Sequence, residues 1–261
     1  MQTEYIFPFG RSVKPCVPHI SERRPIFILG AYPSALHVRW TPPEAFKRIR
    51  AIAVDNEPEN FWDGDKEIEY VNDWKENVRY DEPKWGTVAL AQWLNGSSGR
   101  WVNEQVIDAF HTMRANVWMS DCLDTYRCSD RLKERIDNTY SELTNKLGLP
   151  KANLMTHPSE SEIVQEAIKK HLGRLSNEIE NARPEKIITL GNAALRVLSQ
   201  IVKTKSDVPR KLVADVNFYG KPITVHTNSG HAVRWFPLAH PAAPKIYQAT
   251  HSVWKQELLA N

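Results

Sequence analysis

The sequence predicts an α/β fold in which helices cover a central, mainly four-stranded parallel sheet. Three observations carry this. Short apolar runs bounded by breakers recur along the chain, amphipathic helical stretches lie between them, and each run ends in residues that turn the backbone. Strands that alternate with helices pair in parallel, because the chain must cross over to start the next strand in the same direction.

The runs are "PIFIL" (25–29), "NVWMS" (116–120), "KIITL" (186–190) and "VRWFPLAH" (233–240). Helical patterns span 103–114, 130–147, 159–182 and 192–202. The third is announced by Ser159 with Glu162 three residues on, the spacing at which both side chains satisfy backbone amides at a helix start. In "ARPEKIITLGNAAL", Pro184 stops a helix, Gly191 permits the turn after the strand, and Asn192 is expected to cap the next helix. Residues following such strands project at one edge of the sheet, where open α/β folds bind ligands. The stretch at about 55–101 breaks the alternation with Trp62, Trp74, Trp85, Trp93 and Trp101 among many charges. It reads either as a crossover whose tryptophans pack over the sheet or as a lid with ring faces for stacking. Residues 1–261 are expected to form a single domain carrying this stretch as an insertion.

With 261 residues, 41% hydrophobic and 25% charged, the chain has ordinary globular composition, and a net charge of +3 is mildly basic. Cys16, Cys122 and Cys128 show no CxxC spacing, which argues against a disulfide framework or a four-cysteine cluster and for a reducing compartment. The start "MQTEYIFPFGRSVKPC" lacks the pattern of a secretory signal, and no run reaches the ~18 apolar residues of a membrane span, so a cytoplasmic monomer is expected. No Gly-x-Ser-x-Gly elbow, Walker A loop or Gly-rich dinucleotide fingerprint is present. His226 and His231 lie five residues apart, but a structural role is the expectation and no metal is predicted.

The chemistry-bearing residues cluster at the four strand ends. The first turn offers Gly30, Ala31, Tyr32, Pro33 and Ser34; the second, Ser120, Asp121 and Asp124; the third, Asn192; the last, His240 before Pro241, followed by Lys245, Ile246 and Tyr247. Taken in order, "ILGAYPS", "VWMSDCLDTYR", "IITLGNAALRVL" and "LAHPAAPKIY" resemble the uracil-DNA glycosylase superfamily.

The resemblance implies a three-layer αβα sandwich and a base-excision-repair activity without a cofactor: a damaged or deaminated base is flipped out of DNA, duplex or single-stranded, and its N-glycosidic bond is hydrolysed. By position His240 matches the histidine that stabilises the departing base, and Gly30 and Pro33 match the turn against the flipped nucleotide. Ser34, Arg39 and Lys245 are then expected on DNA phosphates, with Ile246 or Tyr247 as a wedge in the duplex. Such a protein works in the cytoplasm, on the nucleoid of a bacterium, or in the nucleus of a eukaryote.

Two departures from the family pattern matter. The water-positioning acid or amide of the first turn is replaced by Ala31 and Tyr32, neither a general base at neutral pH. Asp121 or Asp124 is the candidate substitute; without one, the chain would be a non-catalytic nucleobase or nucleic-acid-binding module. Where an Asn often reads the base edge, Asp121 stands, with Ser120 beside it. An ionised carboxylate only accepts hydrogen bonds, so it suits two adjacent N–H donors better than uracil, which pairs one donor with a carbonyl.

Overall fold

The computed structural model describes residues 4–19, 22–43, 49–204 and 208–260. In chain order the elements are β1 (Ile26–Gly30), β2 (Ala35–Thr41), β3 (Ile49–Asn56), α1 (Glu67–Asn77), α2 (Glu82–Trp85), β4 (Thr87–Leu90), α3 (Ser97–Val102), β5 (Val117–Asp121), α4 (Asp130–Arg135), α5 (Ser141–Leu147), α6 (Glu160–Glu166), α7 (Leu172–Ala182), β6 (Lys186–Leu190), α8 (Asn192–Leu198), β7 (Ile223–His226), β8 (Ala232–Leu238) and α9 (Lys245–Leu259). Wide π turns at Ile136–Tyr140 and Ala167–His171 join α4 to α5 and α6 to α7, and a third, Asn103–Ile107, follows α3.

The chain divides into two compact units. The first comprises Met1–Cys16, Pro33–Arg100 and Thr125–His157; the second, Val17–Tyr32, Trp101–Asp124 and Pro158–Asn261. The Trp-rich stretch expected as an insertion falls in the first unit up to Arg100, and Trp101 belongs to the second.

In the first unit an antiparallel sheet of order β3-β2-β4 backs an aromatic core. Phe9 stands among Trp40, Trp74, Tyr80, Trp85 and Tyr140, with ring centroids 5.3–6.0 Å away. The Tyr140 hydroxyl accepts the Phe9 amide at 2.8 Å and donates to the Pro150 carbonyl at 2.7 Å, so its polar end is satisfied inside the cluster. Trp62 and Trp74 are buried here as packing residues, while Trp93 is 62% exposed.

The second unit is α/β, with a mixed, mainly parallel sheet of order β5-β1-β6-β8-β7. The four expected strands are β1, β5, β6 and β8, and they pair in parallel. The correction is a fifth strand. β7 is short and half exposed, and a hairpin turn at Thr227–Gly230 returns it antiparallel along the edge of β8. One face of the sheet presents Phe27, Leu29, Trp118, Ile187 and Trp235 to residues of α6, α7 and α8. From the other face Phe236 meets Phe110, which in turn meets Trp254 of α9. Helical segments therefore contribute to both faces, compatible with a three-layer sandwich.

The capping box of Ser159 and Glu162 forms as expected at α6. The cap of α8 is a correction. Gly191, at φ +92°, occupies the cap position, and Asn192 is the first helical residue. Cys122 packs fully buried in this core, and that burial, with Asp121 adding to the shift, pushes its thiol well above its ordinary range. Among the described residues no helix is long and apolar enough to cross a membrane.

Candidate functional site

The site is built from the carboxyl ends of the parallel strands of the second unit. Gly30 pairs with Asp121, and Leu190 pairs with Leu238. Past this row β1 and β5 stay paired for two more amides, Cys122 to the Gly30 carbonyl and Leu123 to the Ala31 carbonyl. Tyr32 follows Gly30 by two residues, and His240 follows Leu238 by two. With one strand between β1 and β8, these ends stand about 10 Å apart, and β5 lies beyond β1. Gly30, Ala31, Tyr32, Ser120, Asp121, Asn192 and His240 thus come to one edge of one sheet. Tyr32 and Ala31 pack half-buried against the core below.

At the last turn the His240 ring accepts the Ala242 amide at Nδ1, 3.1 Å away. A neutral imidazole with an accepting Nδ1 carries its proton on Nε2, so the outer nitrogen is a donor. The turn is closed by the Ala243 amide on the His240 carbonyl. The neighbouring turn runs close to this histidine: a Cβ at residue 191, where φ is +92°, would stand in tight contact 3.3 Å from the His240 Cβ.

The second turn is held by an arginine that the sequence reading missed. Arg174 of α7 donates to the Ser120 hydroxyl at 3.0 Å, to the Asp121 carbonyl at 2.7 Å and to Glu178 at 2.7 Å. Ser120, expected beside the flipped base, is fully buried and its hydroxyl serves this network. Asp121 is 3% exposed and continues the strand. Asp124 faces His171, with its Oδ2 3.6 Å from Nδ1. Burial, more than the opposing pull of Asp124, lowers the His171 pKa, and Arg174 lowers it further. The sequence signal for this network was the charge on a buried helix face: His171, Arg174 and Glu178 recur at helical spacing beside Leu175, Ile179 and Ala182.

At the third turn the Asn192 side-chain oxygen accepts the Leu212 amide at 2.8 Å, and the Tyr247 hydroxyl donates to the Leu212 carbonyl at 2.9 Å. A single residue of the connecting loop is thereby tied to both the third turn and the start of α9. Tyr247 is engaged in the fold, whereas Ile246 is 62% exposed and Lys245 is exposed beside it. Arg210 and Lys211, also missed in the sequence, are exposed just before Leu212.

Pro33, Ser34 and Arg39 belong to the first unit. Ser34 is exposed and its amide donates to Glu57; the Arg39 Nε donates to the Leu90 carbonyl across the β2–β4 pair. Among the described residues no group of three or more His, Cys, Asp or Glu side chains is arranged to hold a metal ion. No family model matches this chain, and no curated protein matches it.

What the edge offers chemically is the His240 ring, with Nδ1 held by the Ala242 amide and the proton on Nε2, on a turn whose backbone is tied by hydrogen bonds; the Asp121 side chain at the end of β5 is buried.

Proposed function

We propose that this chain is a DNA glycosylase-like protein, with the three-layer fold of the uracil-DNA glycosylase superfamily. It flips a damaged or deaminated base out of DNA and hydrolyses its N-glycosidic bond. The observation that carries the reading is the His240 ring: its Nδ1 is occupied by the Ala242 amide, so Nε2–H is the donor at the strand edge. When the glycosidic bond breaks, negative charge grows on a carbonyl oxygen of the leaving base and positive charge on the sugar. A fixed N–H near that oxygen stabilises the transition state more than the ground state. Asp121 reads the base edge as an acceptor, favouring a base with two adjacent N–H donors over uracil. Ile246 is the wedge, and Lys245 beside it meets a phosphate.

The test is base release from duplex and single-stranded oligonucleotides carrying uracil, hypoxanthine, xanthine or an alkylated base. Release is expected, best on a base other than uracil, and His240→Ala is expected to lower kcat by about 100-fold or more. Wild-type rates in both His240→Ala and Asp121→Ala would overturn the reading.

One observation favours a second reading, a binding module that captures a base without hydrolysing it. The first turn carries Ala31 and Tyr32 where a water-activating group is expected, and Asp124 is turned toward His171. Saturable binding without product, with enzyme in excess over long incubation, selects this reading.

A further inference from the structure

β8 ends at Leu238, so Ala239, just before His240, lies outside the strand while still 4% exposed. A buried amide left without an acceptor costs about 1–3 kcal/mol. Here the Ala239 amide donates to the Tyr219 hydroxyl oxygen at 2.9 Å. The same oxygen lies 2.9 Å from Nδ1 of His251, whose Nε2 lies 3.1 Å from the Gln105 carbonyl. A carbonyl only accepts, so Nε2 carries the proton, Nδ1 of the neutral ring accepts, and Tyr219 donates to it. Each proton of the relay therefore has one direction.

The surroundings hold this arrangement in place. Tyr219 and His251 are 2% and 3% exposed, and the Trp101 and Trp254 rings lie 5.0 and 4.9 Å from the His251 ring. Gly220, at φ +62°, lets the segment carrying Tyr219 approach Trp254, where a Cβ would stand 2.5 Å from the indole. The Tyr219 amide is itself fixed on the Asp215 carbonyl at 2.8 Å.

We propose that Tyr219 and His251 are positioning residues for His240: the buried relay from the Ala239 amide through Tyr219 and His251 to the Gln105 carbonyl fixes the backbone from which the His240 ring projects. The Ala242 amide ties the ring on the other side of the turn. The consequence for catalysis rests on the reading of His240 as donor to the leaving base; the relay itself does not.

The experiment uses the full chain, isotopically labelled for NMR. Tyr219→Phe removes the hydroxyl and keeps the ring; His251→Phe keeps the hydroxyl and serves if the first variant does not fold. Amide exchange at Ala239 and His240 is expected to accelerate at least about tenfold, the equivalent of one weakened hydrogen bond. The His240 ring nitrogens are expected to move from the single Nε2–H form toward a tautomer mixture, which a purely space-filling role for Tyr219 would not produce. On the best substrate, kcat is expected to fall about tenfold with KM unchanged. Folded variants with wild-type exchange at Ala239 and unchanged His240 ring signals would overturn the proposal. If the wild-type chain releases no base, the NMR measurement still decides the relay, and the failure falls on the glycosylase reading alone.

Discussion

The two units use buried polar side chains in different ways. In the first, His37, Asn95 and Glu67 close on one another: Asn95 accepts the His37 amide and donates to both the His37 carbonyl and Glu67, while Glu67 also accepts the Ala91 amide. The His37 ring is 2.7 Å from the Ala35 carbonyl, so Nδ1 carries a proton there. In the second unit the half-buried Arg174 and the buried Tyr219 reach instead for backbone at the ends of strands, beside Asp121 and His240. The first network ties β2 to α1 and to the segment after β4, and the second fixes turns at strand ends. Polar burial thus serves two different structural ends in the two units, and only in the second does it fix the backbone of the candidate site.

Substitutions in the two networks should differ in their effects. The largest effect is expected from Arg174→Ala, which strands Glu178 and removes the donors to Ser120 and the Asp121 carbonyl. It should destabilise the second unit by about 3 kcal/mol in chemical denaturation and abolish base release. A variant of wild-type stability would show that the network is dispensable.

Acidification should strike the first unit nearly as hard. Burial lowers the His37 pKa to about 4, against some donor-acceptor support from Ala35 and Asn95. The unfolded chain binds the proton at its ordinary value of about 6.5, so His37 does not penalise folding above that pH. The penalty grows as pH falls from 6.5 to 4 and reaches roughly 3 kcal/mol. Denaturation midpoints measured across that range, with His37→Gln for comparison, report it; an equal pH slope in both proteins would refute the assignment.

A third, smaller change separates geometry from stability. Gly191→Ala places a side chain at a positive φ and against His240, and should cost about 1–2 kcal/mol. Its base-release rate should fall by more than the stability loss explains, because the His240 ring must shift. Ser159→Ala removes only the α6 cap, and is expected to cost about 1 kcal/mol with no change in the rate. Thermal melts alongside rate measurements separate the two variants.

The four parallel strands were legible because strands buried on both faces read as continuous apolar runs ended by breakers. The antiparallel sheet was not. β2 is buried along nearly its whole length, so it shows no in–out alternation, while His37 and Arg39 interrupt its apolar run and its pairing is irregular between Leu36 and His37 and between Val38 and Trp40. At the site, the residues following each strand could be named from local order, since the turns are local. Their supports could not. Arg174 reaches Asp121 across 53 positions, Tyr219 reaches Ala239 across 20, and Asn192 gives its oxygen to Leu212 instead of capping its own helix. These partnerships are set by how helices and loops pack over the sheet, which no local pattern encodes.

The π turn at Ala167–His171 makes the helical segment from α6 to α7 a phase-shifted rod. Each residue advances a regular helix by about 100°, so removing one residue within that turn would swing everything after it to a new azimuth. Arg174 would then face away from β5, although every amino acid at the sheet edge would still be present. Length within this one turn is therefore as much a part of how β5 ends as the identity of Asp121.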